Sequence, residues 1–204
     1  MAEVASAEPA LVAVLAGGAG ERLGGAKALV ELGGRTLISY PLQAAREAGL
    51  EAIVVAKRES SLPQVDERVV YEPASPRHPL CGLVAALRDD SGSRARERAV
   101  LAVACDMPFL EPALLRWLAA RPDEAVVAEV DGELQPFPGL YRRIHREALA
   151  AALETERTLR GAVRALRPRM LTEAELRAFG DPRRLCFSVN DERDLQTARA
   201  WLGG

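Results

Sequence analysis

Leu11-Val12-Ala13-Val14-Leu15-Ala16 runs directly into Gly17-Gly18-Ala19-Gly20-Glu21-Arg22-Leu23-Gly24-Gly25-Ala26-Lys27. The first part is an unbroken apolar run of strand length, which predicts a strand buried on both faces rather than one with a wet side. The second part is a glycine-rich loop. Glycine accepts positive φ and lets the backbone approach a ligand closely, so successive N–H groups can converge on an anion. Arg22 and Lys27 add a planar fork and a point charge to the same loop. Taken alone, the stretch is equally a flexible connector between a strand and a helix.

Outward from this stretch, apolar runs alternate with helical patterns. Thr36–Gly49 places Leu37, Tyr40, Ala44 and Ala48 on one helical face, with Gly49 as the C-terminal cap. Ala52–Ala56 and Arg68–Tyr71 read as strands, Leu80–Arg88 as a helix and Ala99–Ala104 as another buried strand. Glu111–Ala120 is a helix with Pro112 in its first turn, and Ala125–Val130 a further strand. Asp131-Gly132 is a hairpin turn signal, with Leu134–Tyr141 returning antiparallel. Ile144–Leu166 is expected to be helical and interrupted or bent around Gly161, Ser91–Glu97 to be a loop, and Glu192–Leu202 to be the last helix. The expected fold class is α/β: one doubly wound, mostly parallel sheet with helices on both faces and an antiparallel element in the second half.

Composition removes several function classes. The chain has 204 residues, 49% of them hydrophobic, which is ample for a core and too apolar for disorder. No apolar run approaches the roughly 18 residues of a membrane span. Lys plus Arg number 27 against 29 for Asp plus Glu, so the basic excess of a nucleic-acid binder is missing. Three widely spaced cysteines and two histidines argue against both a disulfide framework and a thiolate zinc site. Met1–Pro9 carries no positive charge and the apolar run after it is too short for a signal peptide, so the expected location is the cytoplasm. No added interaction module is evident, and a monomer or weak oligomer is expected.

In doubly wound folds, ligands bind beyond the carboxyl ends of the strands. The residues at those ends carry suitable chemistry. A Walker A loop fails because Ala26 separates Gly25 from Lys27 and Ala28 follows; a dinucleotide fingerprint fails at Leu23 and at Lys57-Arg58, where an acid is needed. Lys27 and Lys57 are the chain's two lysines, both at or just after strand ends in a sequence that otherwise uses arginine. Asp106, in Cys105-Asp106-Met107-Pro108-Phe109, puts a hard carboxylate after a buried strand, the ligand type Mg²⁺ takes beside a phosphate cradle. By itself it is as readily a turn residue. Glu72 ends the third strand, and Ser188-Val189-Asn190-Asp191 supplies further oxygens, with Asp191 reading equally well as a helix cap. Cys105 reads as a buried structural thiol, and His78 and His145 are isolated.

Leu15-Ala16-Gly17-Gly18, then Arg22-Leu23-Gly24 and Lys27, resembles the signature of nucleotidyltransferases with a glycosyltransferase-A-like, Rossmann-like fold. Within that group the chain is most similar to the molybdenum cofactor guanylyltransferases over nearly its whole length. Leu32-Gly33-Gly34-Arg35-Thr36-Leu37, Pro79-Leu80-Cys81-Gly82-Leu83, the Asp106 segment, Gln135-Pro136 with Gly139-Leu140-Tyr141, and Val189-Asn190 all resemble family segments. The chain departs from the family pattern at Ala26, Lys57, His78 and, more mildly, Glu72.

The resemblance implies one nucleotidyltransferase domain over 1–204, with a nucleotide-binding half at 1–110 and an acceptor-binding half at 111–204. GTP would lie over the loop, with Leu15, Ala16, Gly17 and Gly18 at the nucleotide and Gly17 favouring a purine. Lys57 would stand near the base, Glu72 would bind the nucleotide from the third strand's end, Lys27 would contact the triphosphate, and Asp106 would hold Mg²⁺. Gln135, Pro136 and Asn190 would serve the acceptor, molybdopterin. Its terminal phosphate would attack the α-phosphorus of GTP, with Arg22 and Lys27 stabilising the departing pyrophosphate. A cytidylyltransferase acting on molybdopterin or on a sugar or alcohol phosphate, and a nucleotide-binding adaptor without turnover, are the alternatives; a nicotinamide-dependent dehydrogenase is disfavoured by Leu23.

Overall fold

The computed structural model describes residues 10–18, 25–89, 98–155 and 158–203. The expectations for Met1–Pro9, for Arg22 and Leu23, and for the Ser91–Glu97 loop lie outside these described residues. The chain runs through β1 (Leu11–Leu15), a 3-10 turn at Lys27–Leu29, β2 (Glu31–Leu32), β3 (Arg35–Thr36) and α1 (Ser39–Glu47). β4 (Ala52–Ala56), β5 (Arg68–Tyr71), α2 (Pro79–Arg88), β6 (Val100–Ala104) and α3 (Pro112–Ala119) follow. The rest comprises β7 (Ala125–Val130), β8 (Glu133–Tyr141), α4 (Arg146–Glu154), α5 (Leu159–Ala165), β9 (Arg169–Leu171), α6 (Glu173–Leu176), α7 (Pro182–Leu185) and α8 (Glu192–Gly203).

Seven strands form one sheet in the order β5-β4-β1-β6-β8-β7-β9. β1 pairs in parallel with β4 and β6, β4 with β5, and β7 with β9. β8 runs against both of its neighbours, β6 and β7, as the hairpin signal predicts. The unbroken apolar runs are explained by burial on both sides. Val12, Val14, Val54 and Val103 pack with Leu42 of α1 and Leu114 of α3. Their alternates Leu11, Ala13, Ile53 and Val55 pack with Leu83 of α2, Leu149 of α4 and Val163 of α5. Each fully buried Leu, Ile or Val contributes about 1.5–3 kcal/mol relative to exposure, so neither face of β1 tolerates a polar residue cheaply.

Two expectations need correction, and three short elements were not expected. The helix expected from Thr36 begins at Ser39, because Thr36 pairs with Glu31 across the β2–β3 hairpin. Gly33 and Gly34, both at positive φ, make its two-residue turn. The helical stretch 144–166 is interrupted as expected, but between α4 and α5 rather than at Gly161 itself. Thr158 caps α5 by accepting the Gly161 N–H at 3.1 Å, so the glycine sits in a first turn rather than at a kink. β9, α6 and α7 go unmarked by periodicity because each spans only three or four residues.

The connection from β1 leads to β4 on one side, while β6 joins on the other. The carboxyl ends of β1 and β6 therefore form the switch point at which such sheets hold ligands. A third cluster packs Leu195 and Ala198 of α8, with Val189, on Leu32 and Leu37. It folds the C-terminal segment back over the residues that follow Lys27. Among the described residues, no helix is long and apolar enough to cross a membrane.

Candidate active site

Backbone hydrogen bonds fix the floor of the switch point. The Cys105 N–H donates to Leu15 O at 3.0 Å, tying the segment after β6 to the end of β1. The Ala16 N–H donates to Val55 O at 2.7 Å, tying the first loop residue to β4. The Val189 N–H donates to Asp106 O at 2.9 Å and brings the C-terminal segment to the same edge. Phe109, Phe187 and Trp201 hold it there: the Trp201 ring lies 5.5 Å from Phe109 and 4.9 Å from Phe187. Arg184 stacks on Phe109 at 4.9 Å and donates to Trp201 O.

Lys27, Asp106 and Asn190 meet on this floor. The Lys27 ammonium donates to Asp106 Oδ2 and, at 2.9 Å, to Asn190 Oδ1. Asp106 is only 5% exposed, and its other oxygen, Oδ1, is buried with no hydrogen-bond partner among the described residues. Asn190 is held in turn: its N–H donates to Asp194 Oδ2 and its Nδ2 to Ser188 O. Asp191 is a cap, accepting the Asp194 N–H, so the cap reading holds for that residue. Arg22 lies outside the described residues.

A buried carboxylate oxygen without a partner is costly unless something pairs with it. Among the described residues, no group of three or more His, Cys, Asp or Glu could by itself hold a metal. One hard carboxylate with a free oxygen, plus an amide oxygen, fits Mg²⁺, which is commonly held by one or two carboxylates together with substrate phosphates. It does not fit a zinc cage.

The second lysine stands on the α2 side of the floor. Lys57 is 7% exposed and donates from Nζ to Ala74 O at 2.8 Å. Glu72, 8% exposed, follows β5 and bonds through its N–H to Ala56 O. Its carboxylate fills the space in front of Gly17: a Cβ there would lie 1.7 Å from Glu72 Oε1. A Cβ on Gly82, in the first turn of α2, would lie 3.1 Å from Oε2. Burial raises the Glu72 pKa, Lys57 opposes the rise and Glu59 adds to it. His78 caps α2, its Nδ1 accepting the Leu80 N–H, so this histidine is a cap rather than an isolated residue.

Of the remaining sequence candidates, Leu15 is half-buried, Ala16 buried, and Gly18 exposed, with none of the described residues close to where a Cβ would stand. Gln135 is half-buried and donates to Glu133 O. In the β7–β8 ladder Val127 pairs with Gly139 and Ala128 with Gln135, so Pro136-Phe137-Pro138 bulges out of the strand. Because Gly139 also pairs with Ala102, the bulge lies level with the carboxyl end of β6. Pro136 is buried and its carbonyl is taken by the Tyr141 hydroxyl at 2.7 Å. Cys105 is buried and its thiol pKa is pushed up by desolvation, which agrees with a structural thiol. Sequence reading missed the Phe109–Phe187–Trp201 cluster and Arg184. Aromatic residues are scarce in this chain, 4% of it, and the three rings stand far apart in sequence, so no local pattern marked the cluster.

The model of the MobA-like NTP transferase domain family matches residues 12–171. A probable molybdenum cofactor guanylyltransferase of Opitutus terrae is 38% identical over 159 residues, covering 76% of this chain and 74% of that protein. One of Pelotomaculum thermopropionicum is 30% identical over 189 residues, covering 91% and 90%. The crystal structure of molybdopterin-guanine dinucleotide biosynthesis protein A from Archaeoglobus fulgidus superposes with a TM-score of 0.78 at 25% identity, covering 95% of this chain and 98% of that one.

Proposed function

The chain belongs to the MobA-like NTP transferase family and is a nucleotidyltransferase, and from that premise we propose that it transfers GMP from GTP to the terminal phosphate of molybdopterin. The products are the guanine dinucleotide form of the cofactor and pyrophosphate. The observation that carries the reading is the buried Asp106 Oδ1, unpartnered among the described residues, beside the Lys27 ammonium at the switch point. The names of the relatives support the choice of substrates.

The acceptor phosphate oxygen attacks the α-phosphorus in line, the bond to the β-phosphate breaks, and pyrophosphate leaves with that bond's electron pair. No protein nucleophile enters, so the chain's work is placement and charge neutralisation. Lys27 binds the triphosphate, Arg22 adds charge to the same loop, and Asp106 with Asn190 holds Mg²⁺. When bound, that ion neutralises phosphate oxygens. Leu15 to Gly18 lay their backbone along the nucleotide, while Gln135, Pro136 and Asn190 border the acceptor.

Glu72 supports guanine over the other bases. A carboxylate can accept two hydrogen bonds side by side, and guanine alone offers N1–H and the N2 amine as adjacent donors. Cytosine and adenine present a single exocyclic amine. Lys57, by opposing the upward pKa shift, favours the ionised acceptor. The test is pyrophosphate release: it should require both GTP and molybdopterin. GTP-dependent binding with no pyrophosphate on adding the acceptor would favour a non-catalytic adaptor and overturn the reading.

A further inference from the structure

Lys27 touches two oxygens of the kind a hard cation would take. Asp106 Oδ2 comes from the end of β6 and Asn190 Oδ1 from the segment before α8, and both converge on one ammonium. Lys27 itself opens the 3-10 turn at Lys27–Leu29, so three separate parts of the chain meet at this point. With the ammonium in place, the Asp106 charge is neutralised and only Oδ1 stays free. A divalent cation arriving there meets little net attraction and a positive neighbour. The same ammonium cannot bind a triphosphate fully while it is held by Asp106.

We infer that Lys27 is a stand-in cation in the nucleotide-free enzyme, so that nucleotide and divalent metal each clear the way for the other. The triphosphate draws Lys27 off Asp106 and Asn190 and exposes both oxygens to the metal. The metal, by displacing Lys27, releases it towards the triphosphate. This coupling is reciprocal by linkage: whatever factor the nucleotide adds to metal affinity, the metal adds to nucleotide affinity. The inference rests on the proposed roles of Asp106 and Lys27 and adds the order and coupling of their use. It makes Lys27 an obstacle to the metal before it becomes an aid to the phosphate.

Mn²⁺ alone, followed by the electron paramagnetic resonance signal of the free ion, tests this on the full chain without nucleotide. Lys27→Met should bind Mn²⁺ about 5- to 100-fold more tightly than wild type, the usual span of such couplings. Lys27→Arg, which keeps the charge, should bind no more tightly than wild type, and Asp106→Asn should lose binding. If Lys27→Met binds no better than wild type while Asp106→Asn loses the metal, the stand-in role is wrong and the metal assignment survives. If Asp106→Asn holds Mn²⁺ as wild type does, the assignment of Asp106 is wrong and the inference falls with it.

The wild type gives a second readout that needs no change at the site. Because the chain has two lysines, labelling their ε-carbons yields two magnetic resonance signals, assigned with Lys57→Arg. The Lys27 signal should move on adding GTP with Mg²⁺. A signal that stays in place would overturn the displacement.

Discussion

The two lysines of this chain each stand beside a buried carboxylate, and the two arrangements differ. At one end of the switch point Lys27 bonds directly to Asp106 and leaves the second carboxylate oxygen without a partner among the described residues. At the other, Lys57 gives its ammonium to the Ala74 carbonyl, and Glu72 presses its carboxylate against Gly17 and Gly82. The first pair is a movable charge with an open oxygen, suited to phosphate and metal. The second is a fixed acceptor in a tight space, suited to the edge of a base. One kind of residue pair serves charge in one place and shape in the other, and packing decides which.

The sharpest way to break this contrast is at the charged end. Asp106→Ala should lower turnover by about 100- to 1,000-fold, the range seen when one preorganised charge-stabilising group is removed. Steady-state pyrophosphate release measures it, and near-full activity would remove Asp106 from the chemistry.

At the shaped end the effect should be smaller and should fall on affinity. Gly17→Ala places a Cβ where Glu72 Oε1 now sits, 1.7 Å away. The carboxylate is the far end of a flexible side chain, so it should swing aside without unfolding the protein. GTP affinity should drop about 10- to 100-fold, as expected for losing hydrogen bonds to a charged acceptor. The melting temperature should move by no more than about 2 °C, as for a change well under 1 kcal/mol. Calorimetry with thermal unfolding separates the two; unchanged affinity would mean that Glu72 does not read the base.

The smallest effect is on stability and depends on pH. Burial raises the Glu72 pKa above the ordinary glutamate value, so the folded chain holds that proton more tightly than the unfolded chain. The stabilisation this confers is fully present below the ordinary value and is lost as pH rises through the raised one. Glu72→Gln lacks this titration. Its melting temperature should therefore gain on wild type across that window and then hold a constant difference. A difference that does not vary with pH would show that burial imposes no such penalty.

Much of this was legible in the sequence, and the exceptions have physical causes. The strands around β1 were plain because both faces are buried and no polar residue interrupts them. Lys27, Asp106, Lys57 and Glu72 stood out by position, each at or soon after a strand end. That Lys27 bonds to Asp106 and Asn190 was not legible, since the contact depends on α8 folding back through Val189 and Leu195 onto Leu32 and Leu37. The interruption near Gly161 was legible but placed a few residues late, because glycine occurs both at breaks and in tight first turns; Thr158, three residues earlier, was the deciding residue. The Pro136–Pro138 bulge did carry a mark, since prolines that cannot donate to a ladder sit in an inner strand only at a bulge, but the register it shifts is set by the partner strand β7.

The most direct test of the central claim, that Glu72 and Gly17 form a guanine-reading edge beside a phosphate-and-metal floor, is calorimetric titration of the wild-type chain with GTP, ATP, CTP and UTP in the presence of Mg²⁺. The account predicts that GTP binds at least about tenfold more tightly than any other, a difference of about 1.4 kcal/mol. Tighter binding of CTP, or equal binding of all four, would contradict it.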